Sequence, residues 1–493
     1  MTSANRLLEA LRVFDDDLRI QVVFTIDDGS VFAGGVREVL NAAGARILSR
    51  EQARRVSAHL TLTATENADL DGLHGPVVVL PHGVGFHKLL PGADGSGTRV
   101  SGVVPRPRAD PPTMVVSHPD QAEQLGRLSP GAPIRVIGDV TLERMLAGER
   151  LIPRYRRALG AGDGQRLVVV TSTWGSSSLW GTRPWLPGEL LKSLPYDEFR
   201  VALILHPNIW FGHSPWQVRA WLAEALDSGL ALVPPEEGWQ AAMTAADVVV
   251  GDHGSVTLFG AALGKPLVLA AFGEDEVVPG TAMARLGETA ARLDPERDVR
   301  RQLDTAGPVE GIRESAFVKP EGSTENLRRL FYDRLELPEP SRSASVRAWP
   351  TPRPERRSPS SFAVCTDVSR PGTVTIRRHA PGWPGAEPDT VVRHWAVYDD
   401  EPDQDAVANA AVVTGRHGGD VQELLRRHPG AACAGAADRV LLRDGTLIRA
   451  VVDVPVDPML TAAAVYAMWV TGRPLTGAVR LIAGSREFRV TLE

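Results

Sequence analysis

Residues 239–272, WQAAMTAADVVVGDHGSVTLFGAALGKPLVLAAF, carry the clearest structural pattern in the chain. The β-branched run at 248–250 predicts a short buried strand, because such side chains pack well on a pleated surface. The apolar run at 256–263 is typical of a helix packed against a sheet, and Gly264 is a suitable cap for its end. A second apolar run at 267–271 completes a strand–helix–strand unit, which builds a parallel sheet.

The turn between the first strand and the helix, residues 252–255, is polar and contains glycine. In parallel sheets the working loops follow the C-terminal ends of the strands. Glycine allows a ligand to approach the backbone closely, and the free N–H groups at the start of the helix can hold an anion. The turn predicts a phosphate site formed by Asp252, His253, Gly254 and Ser255, although Asp252 is equally well explained as a cap of the helix.

Strands and helices alternate on both sides of this unit. The alternation runs across residues 18–160, restarts after a polar turn, and ends in an amphipathic segment at 324–335. Such alternation is the signature of doubly wound parallel sheets. We therefore predict an α/β protein with two facing Rossmann-like domains, at 1–160 and 161–336, whose strand ends meet at a cleft.

The rest of the chain has a different composition. Residues 337–361 are poor in apolar residues and rich in Pro, Ser and Arg, which is typical of an extended linker. Beyond the linker, residues 362–493 contain both strand and helix candidates but no phosphate loop or metal-binding spacing. This segment predicts an α+β accessory domain at the C-terminal end of the sequence.

The bulk properties exclude several classes of protein. The formal net charge of -6 over 493 residues argues against general affinity for nucleic acid. The two cysteines, Cys365 and Cys433, cannot form a disulfide framework, which favours a reducing, cytoplasmic setting. The first residues lack the apolar core of a signal peptide, and no uninterrupted apolar run reaches the roughly 18 residues of a membrane span. A location peripheral to a membrane stays open, and the sequence does not fix the oligomeric state.

Two histidines directly follow predicted strands and are candidate catalytic residues. His82 lies after the apolar run at 76–80, and His206 lies after the one at 199–205. A histidine on a loop that faces a cleft is suited to general-base chemistry near neutral pH, and it can also bind a phosphate or stabilise a leaving group. The alternative for each is a turn histidine bonded to a neighbouring loop. His253 is ambiguous between a pocket residue and a helix cap.

Residues 172–178, STWGSSS, form a second candidate phosphate loop. Hydroxyl groups and backbone N–H groups on such a loop can cradle a phosphate, although loops rich in Ser and Gly are common. Lys88 and Arg183 are candidate phosphate partners, with an ordinary surface charge as the alternative for each. The histidines show no zinc-site spacing, so we expect no metal and no cofactor. The candidate donor-binding residues of the loop are Ser172, Thr173 and Gly175.

Three segments together resemble the GT-B glycosyltransferase superfamily. Within it they are most similar to the CDP-glycerol glycerophosphotransferase family, and more distantly to the UDP-N-acetylglucosamine 2-epimerases. The resemblance covers about residues 18–335 and none of 362–493. The segments are 76–88 (PVVVLPHGVGFHK), 201–208 (VALILHPN) and 246–271 (ADVVVGDHGSVTLFGAALGKPLVLAA).

The resemblance implies roles for particular residues. The family's catalytic histidine stands in an HG motif followed by a lysine, which is matched by His82 and Lys88 with one extra residue before the lysine. Its second functional histidine stands in an HP motif, matched by His206. Its donor phosphate is bound by an aspartate-and-serine turn that opens a helix, matched by Asp252 and Ser255.

One position departs from the resemblance. In these families the helix after the turn carries an acidic residue, which in nucleotide-sugar enzymes of this fold holds the ribose hydroxyls. The aligned positions here are Leu258 and Phe259, and a phenylalanine cannot accept a hydrogen bond from a ribose.

The resemblance implies an enzyme that moves a glycosyl or glycerophosphate group from a nucleotide-activated donor to a hydroxyl acceptor. An acceptor at a membrane surface is one option. A 2-epimerase-like enzyme stays open, and so does a non-catalytic GT-B scaffold that senses a nucleotide-like ligand.

Overall fold

The computed structural model describes residues 1–26, 35–65, 68–91, 98–103, 111–383, 385 and 390–493. These residues form an N-terminal α/β domain, a second α/β domain and a closed β-barrel, in that order along the chain. The predicted α/β class and its two facing Rossmann-like domains are confirmed.

A four-stranded parallel sheet forms the centre of the N-terminal domain. In sheet order its strands are Thr61–Thr63, Val77–Val79, Thr113–Val116 and Ile134–Val136. Separate two-stranded ladders join Phe24–Thr25 to Ile47–Leu48 and Leu89–Pro91 to Thr98–Val100. The helices are Thr2–Ala10, Val36–Ala42, Arg50–Arg55, Pro119–Leu128, Val140–Ala147 and Ile152–Ala158.

The second domain contains a six-stranded sheet in which every pair is parallel. In spatial order its strands are Ala231–Val233, Phe199–Leu205, Arg166–Ser172, Val248–Gly251, Leu267–Leu269 and Ala291–Arg292. The strand order therefore reverses between Arg166–Ser172 and Val248–Gly251. In open α/β sheets, ligands bind outside the C-terminal strand ends at such a reversal.

Helices cover both faces of this sheet because its central strands are apolar on both sides. Val168 and Val170 pack into one core, whereas Val169 between them packs into the other. The helix Ser255–Ala262 is buried from Thr257 onward, as its nearly continuous apolar sequence predicts. The other helices are Leu179–Thr182, Leu186–Ser193, Pro207–His213, Pro215–Trp221, Ala223–Asp227, Trp239–Ala245, Ala282–Thr289, Val299–Thr305 and Ile312–Ala316.

The helix Ser323–Leu335 returns to the N-terminal domain, although its sequence position placed it in the predicted second domain. Its buried Phe331 and Tyr332 belong to the same core as Phe14 and Val78. The ring of Phe331 lies 5.6 Å from that of Phe14. This helix therefore belongs to the core of the N-terminal domain.

The linker at 337–361 is extended and lies against both α/β domains. Glu355 exchanges two backbone hydrogen bonds of 2.9 Å with Leu232, so it pairs with the edge strand of the six-stranded sheet. The indole of Trp349 packs 3.7 Å from the guanidinium carbon of Arg144. These contacts hold much of the linker in place on the folded domains.

The C-terminal unit is a closed nine-stranded barrel, an architecture that the α+β prediction did not specify. Its buried helix Pro458–Val470 packs against strands all around the barrel. Arg378 joins the barrel to the second domain through a bidentate pair with Asp197, with N···O distances of 2.9 and 2.8 Å. In barrel order the strands are Ser361–Asp367, Thr373–His379, Gly477–Ala483, Arg486–Leu492, Leu447–Val452, Arg439–Leu442, Cys433–Ala436, Val412–Gly415 and Val391–Tyr398. Two shorter helices are Gln404–Asn409 and Val421–Arg427.

Candidate functional site

A cleft of about 400 Å³ lies between the two α/β domains, at the strand-order reversal of the second domain. Loops that follow strands in both domains line it, as the topology predicts. Three predicted residues, Gly175, Arg183 and Asp252, lie outside this lining. The predicted residues that border the cleft are His82, Lys88, Ser172, Thr173, His206, His253, Gly254 and Ser255.

Two contacts join the domains at one edge of the cleft. The Val84 N–H donates to Ser255 Oγ at 3.4 Å, and a Cβ atom on Gly83 would lie 2.7 Å from that same oxygen. The Val278 N–H of the second domain also donates to the His87 carbonyl at 2.9 Å. Glycine at position 83 therefore permits a close approach that any larger residue would obstruct.

His206 is a neutral hydrogen-bond donor. Its backbone N–H donates to the Ser172 carbonyl at 3.0 Å, and its Nδ1 accepts the N–H of Asn208 at 3.1 Å. Burial, together with the nearby His82 and Lys88, lowers its pKa to about 3, so the ring is uncharged near neutral pH. Because Nδ1 accepts a hydrogen bond, the single ring proton resides on Nε2.

His82 differs from the other histidines of the cleft because it is exposed. Its loop follows the buried strand Val77–Val79, as predicted. The nearby His87 is buried, and its pKa is lowered to about 4 by that burial. An exposed imidazole on the cleft wall is accessible to a ligand proton, whereas the buried ring of His87 is not.

His253 and Lys88 are joined through Glu276, which the sequence analysis missed. Nδ1 of His253 accepts the Gly273 N–H at 3.1 Å, and its Nε2 donates to Glu276 Oε2 at 3.2 Å. The Lys88 ammonium lies 3.1 Å from the same carboxylate oxygen. Burial acts to raise the pKa of Glu276, but Lys88 and a hydrogen bond from Ser177 hold it below its usual value. His253 therefore positions Glu276, and Glu276 positions the ammonium at the cleft.

Asp252 holds two loops together beneath the cleft. Its carboxylate accepts the N–H groups of Thr173 at 2.9 Å, Leu179 at 2.9 Å and Gly254 at 3.0 Å. The Ser172 hydroxyl lies 3.1 Å from the same carboxylate. These contacts occupy a fully buried side chain, so the geometry gives Asp252 a scaffold role in place of the predicted ligand contact.

The structure places some of the other predicted phosphate partners at the cleft and the others away from it. Ser172 and Thr173 border the cleft, although the Thr173 N–H is taken by Asp252. Gly175 shapes its loop, with a φ of 106° and a carbonyl that accepts the Ser178 hydroxyl at 2.7 Å. Arg183 points elsewhere, since its Nη1 donates to the Leu293 carbonyl at 3.3 Å.

Phe259 occupies the position where the resemblance leads one to expect an acidic residue. It is 3% exposed, and its ring lies 5.5 Å from Trp239 and 5.4 Å from Phe317. It also borders the cleft. The floor of the site is therefore aromatic at this point and offers no carboxylate to a ribose.

A polar wall on the N-terminal side also escaped the sequence analysis. The wall consists of Arg6, Glu9, Thr141 and Arg144, all of which border the cleft. The first two lie on the helix Thr2–Ala10, more than 130 residues away in sequence from the other two. No local motif links them, so the sequence pattern did not indicate this wall.

Within the described ranges, no group of three or more His, Cys, Asp or Glu side chains is placed to hold a metal ion. Among the helices that the structure describes, none is long and apolar enough to cross a membrane.

Comparison with known proteins gives similarity in structure alone. No protein-family model and no curated protein matches the chain. A variant of the wall teichoic acid polymerase TagF is 11% identical over 67% of this chain and 85% of its own, with a TM-score of 0.43. The UDP-GlcNAc 2-epimerase from Neisseria meningitidis bound to UDP-GlcNAc is 12% identical over 68% and 96%, with a TM-score of 0.39. The corresponding enzyme from Methanocaldococcus jannaschii is 12% identical over 67% and 97%, with a TM-score of 0.41.

These matches are of the two kinds that the sequence resembles. Similarity at such TM-scores carries no argument about the reaction. The function is therefore argued from the contacts in the cleft.

Proposed function

We propose that the chain is a GT-B-type transferase that moves a glycosyl or glycerophosphate group from a nucleotide-activated donor to a hydroxyl acceptor. One observation carries the proposal. At the strand-order reversal, the start of the helix Ser255–Ala262 and the neutral donor His206 border the same cleft as the exposed His82. The first two suit a phosphate, and the third suits an attacking hydroxyl.

The donor phosphates would bind on the second domain. The N–H groups in the first turn of a helix have no intrahelical partner, and the helix dipole adds positive potential at that end. The Nε2–H of His206 supplies a further donor without a charge of its own. These groups stabilise the charge that develops on the leaving phosphate by hydrogen bonding, which is the main electrostatic requirement of the transfer.

Lys88 would strengthen this site once a donor is bound. Its ammonium is paired with Glu276 at 3.1 Å and lies 5.2 Å from the ring of Trp174. Both partners hold the lysine at the edge of the cleft, where its ammonium can also form an ion pair with a phosphate. Lys88 is therefore a candidate phosphate partner whose position depends on Glu276.

His82 would remove the proton from the acceptor hydroxyl. A general base must be accessible to its substrate and within hydrogen-bond reach of the proton that it takes. His82 is the exposed histidine of the cleft, whereas His206 already carries its proton on Nε2. The two histidines thus have different roles, a base for His82 and a hydrogen-bond donor for His206.

A nucleotide sensor without catalysis is the second candidate, and Phe259 favours it. A ribose bound in the usual pose of nucleotide-sugar enzymes would meet an aromatic ring here in place of a carboxylate. A scaffold that only binds a phosphate could tolerate that change. Nucleotide binding without consumption of a donor would support this candidate.

Calorimetric titration with CDP and UDP tests the donor site. We expect binding to wild type, and roughly tenfold or greater weakening in His206→Ala, because a hydrogen bond to a charged phosphate is lost. His82→Ala should bind nucleotide within a factor of about two of wild type, since a base acts on the acceptor. His59→Ala, which changes an exposed histidine outside the cleft, is the matched control.

Turnover separates the two candidates. Wild type incubated with CDP-glycerol or UDP-N-acetylglucosamine and a hydroxyl acceptor should release the nucleotide, and His82→Ala should not. Absence of nucleotide binding at millimolar concentration would refute both candidates. Binding without release, across donors and acceptors, would leave the sensor and refute the transferase.

A further inference from the structure

Arg144 is a buried arginine at the cleft whose charge no carboxylate neutralises by hydrogen bonding. It lies in the last turn of the helix Val140–Ala147, and its side chain is 8% exposed. Among the described residues, the one carboxylate oxygen within 4 Å is Oε1 of Glu9, at 3.8 Å from Nη1, which is beyond hydrogen-bond distance. Buried charges in proteins are normally paired, so Arg144 requires an explanation.

The guanidinium of Arg144 is fixed on one side and open on the other. Its Nε–H donates to the Arg347 carbonyl at 2.8 Å, and the ring of Trp349 lies 3.7 Å from the guanidinium carbon. Toward the residues that the structure describes, Nη1 and Nη2 donate no hydrogen bond, yet both retain solvent-accessible surface. Because Arg144 borders the cleft, these two nitrogens form a rigid fork that a ligand can reach.

A comparison with Arg6 on the same wall shows how incompletely Arg144 is neutralised. Burial acts to lower the pKa of Arg6, but Asp139 and Glu9 accept its hydrogen bonds and raise it. Burial also acts on Arg144, and here it prevails over the attraction of the more distant Glu9, so the pKa of Arg144 is lowered. An anion on the fork would supply the partner that Arg144 lacks.

The wall around the fork carries more positive than negative groups. It presents three arginines and one carboxylate to the cleft, namely Arg6, Arg12, Arg144 and Glu9. Arg6 is paired from behind with Asp139 at 2.9 Å. With that pair set aside, Arg12 and Arg144 still exceed Glu9, which favours an anionic ligand over a neutral one.

Two other features bear on the charge of this region. A side pocket of about 90 Å³ adjoins the wall, and five arginines line it against three carboxylates. Glu9, Arg12 and Arg144 line both the side pocket and the cleft. Glu236 and Glu237 border the cleft as well, but both are exposed, so solvent weakens their effect on the buried fork.

We propose that Arg144 binds an oxyanion, a carboxylate or a phosphate, of a ligand in the cleft, with Arg12 as the second positive group. Nη1–H and Nη2–H donate to two oxygens of one anion, a geometry for which the planar guanidinium is suited. Trp349 and the Arg347 carbonyl keep the fork in this orientation. The identification of the ligand as the acceptor rests on the proposed transferase function, whereas binding of the anion itself does not.

NMR titration with D-glucuronate and with glycerol 3-phosphate tests the site. We expect at least one of these anions to bind wild type at millimolar concentration, and to bind more tightly than its neutral counterpart, methyl glucoside or glycerol. Glucuronate alone would assign a carboxylate, and glycerol 3-phosphate alone would assign a phosphate.

Variants of Arg144 test the fork. Arg144→Met should weaken the anion about tenfold or more, because two charge-assisted hydrogen bonds are lost. Arg144→Lys should give an intermediate loss, since it keeps the charge but not the fork. Arg127→Gln, which changes an exposed arginine on the helix Pro119–Leu128, is the control. Equal affinity in wild type and Arg144→Met would overturn the proposal, as would failure of both anions to bind wild type.

A second residue decides the result if Arg144→Met does not fold. The side chain of Arg12 is 44% exposed, so Arg12→Gln should fold and should weaken the anion about threefold. Unchanged affinity in that variant would overturn the proposal.

Two further measurements separate this site from the proposed donor site. His206→Ala should bind the anion as wild type does, and a dependence on His206 in place of Arg144 would overturn the proposal. CDP titration of wild type tests the proposed function separately. Anion binding that depends on Arg144, without any CDP binding, would leave the anion site and refute the transferase.

Discussion

Replacement of Asp252 by alanine tests the scaffold role that its contacts indicate. The fully buried carboxylate accepts N–H groups from Thr173, Leu179 and Gly254 at distances between 2.9 and 3.0 Å. Removing it leaves these three donors inside the protein without an acceptor. We therefore expect Asp252→Ala to lower the free energy of unfolding of the second domain.

The size of the effect follows from the number of donors. Each buried donor left without a partner costs about 1–3 kcal/mol, so three of them set a range of roughly 3–9 kcal/mol. Water that enters the vacated space satisfies part of this deficit, which places the expected loss at about 3–5 kcal/mol. At roughly 2–4 °C per kcal/mol for a domain of this size, the unfolding midpoint should fall by about 10 °C.

Differential scanning calorimetry measures this shift directly. Asp275→Asn, which changes an exposed aspartate of the same domain, should leave the midpoint within about 1 °C of wild type. Asp252→Asn should give an intermediate loss, because its amide keeps one oxygen acceptor and places an N–H group against the remaining donors. An unchanged midpoint in Asp252→Ala, together with a lost nucleotide affinity, would show that the side chain serves a ligand and would refute the reasoning.

Three other changes have defined outcomes. The free energy of unfolding should fall steeply below pH 6.5, because burial lowers the pKa of four histidines to about 3 or 4 and the unfolded chain therefore binds more protons than the folded one. The slope approaches the order of 5 kcal/mol per pH unit for the four histidines together. Unfolding midpoints between pH 7 and 5 measure this loss. Arg378→Ala should cost about 3–5 kcal/mol in thermal unfolding, because it leaves the buried carboxylate of Asp197 without its bidentate partner. Phe259→Glu should destabilise the second domain by about 3–5 kcal/mol without tightening UDP in calorimetry, because the ring is packed between two aromatic neighbours. The four histidines are His87, His206, His379 and His394.

Each of these outcomes has a contrary result, and Arg378→Ala also has a control. A flat stability profile between pH 7 and 5 would mean that the buried histidines titrate normally. Arg480→Ala, at an exposed pair on the barrel, should be near neutral. An equally mild effect of Arg378→Ala would contradict the dependence of the buried Asp197 carboxylate on Arg378. Tighter UDP binding by a stable Phe259→Glu would mean that a ribose pocket lies intact behind the ring.

The sequence contained the strand and loop pattern of the site but not its long-range contacts. The strand at 248–250 and the turn after it could be predicted because the signals for strands, turns and helices come from residues close together in sequence. Two partners of Asp252, Thr173 and Leu179, lie 79 and 73 residues earlier in the chain, so a local reading assigned Asp252 to a ligand or a helix cap. Glu276 and Glu9 were missed for the same reason, since only the fold brings them to Lys88 and Arg144.

The barrel was harder to predict than the two parallel sheets. Its strand Cys433–Ala436, with the sequence CAGA, has little of the β-branched or aromatic character that marks a strand. Gly435 is needed there because a Cβ atom would lie 2.7 Å from the Cβ of Ala462 on the buried helix. Close packing against that helix therefore determined the composition of the strand, and the propensity signal was weak.

A crystal structure of the protein soaked with CDP or UDP tests the central claim most directly. We predict a phosphate oxygen within about 2.7–3.2 Å of the backbone N–H of Ser255 or Val256, and another at the same distance from Nε2 of His206. The ring of His82 should then border the space next to the terminal phosphate. A nucleotide bound away from the strand-order reversal, or a cleft that stays empty at saturating nucleotide, would contradict the account.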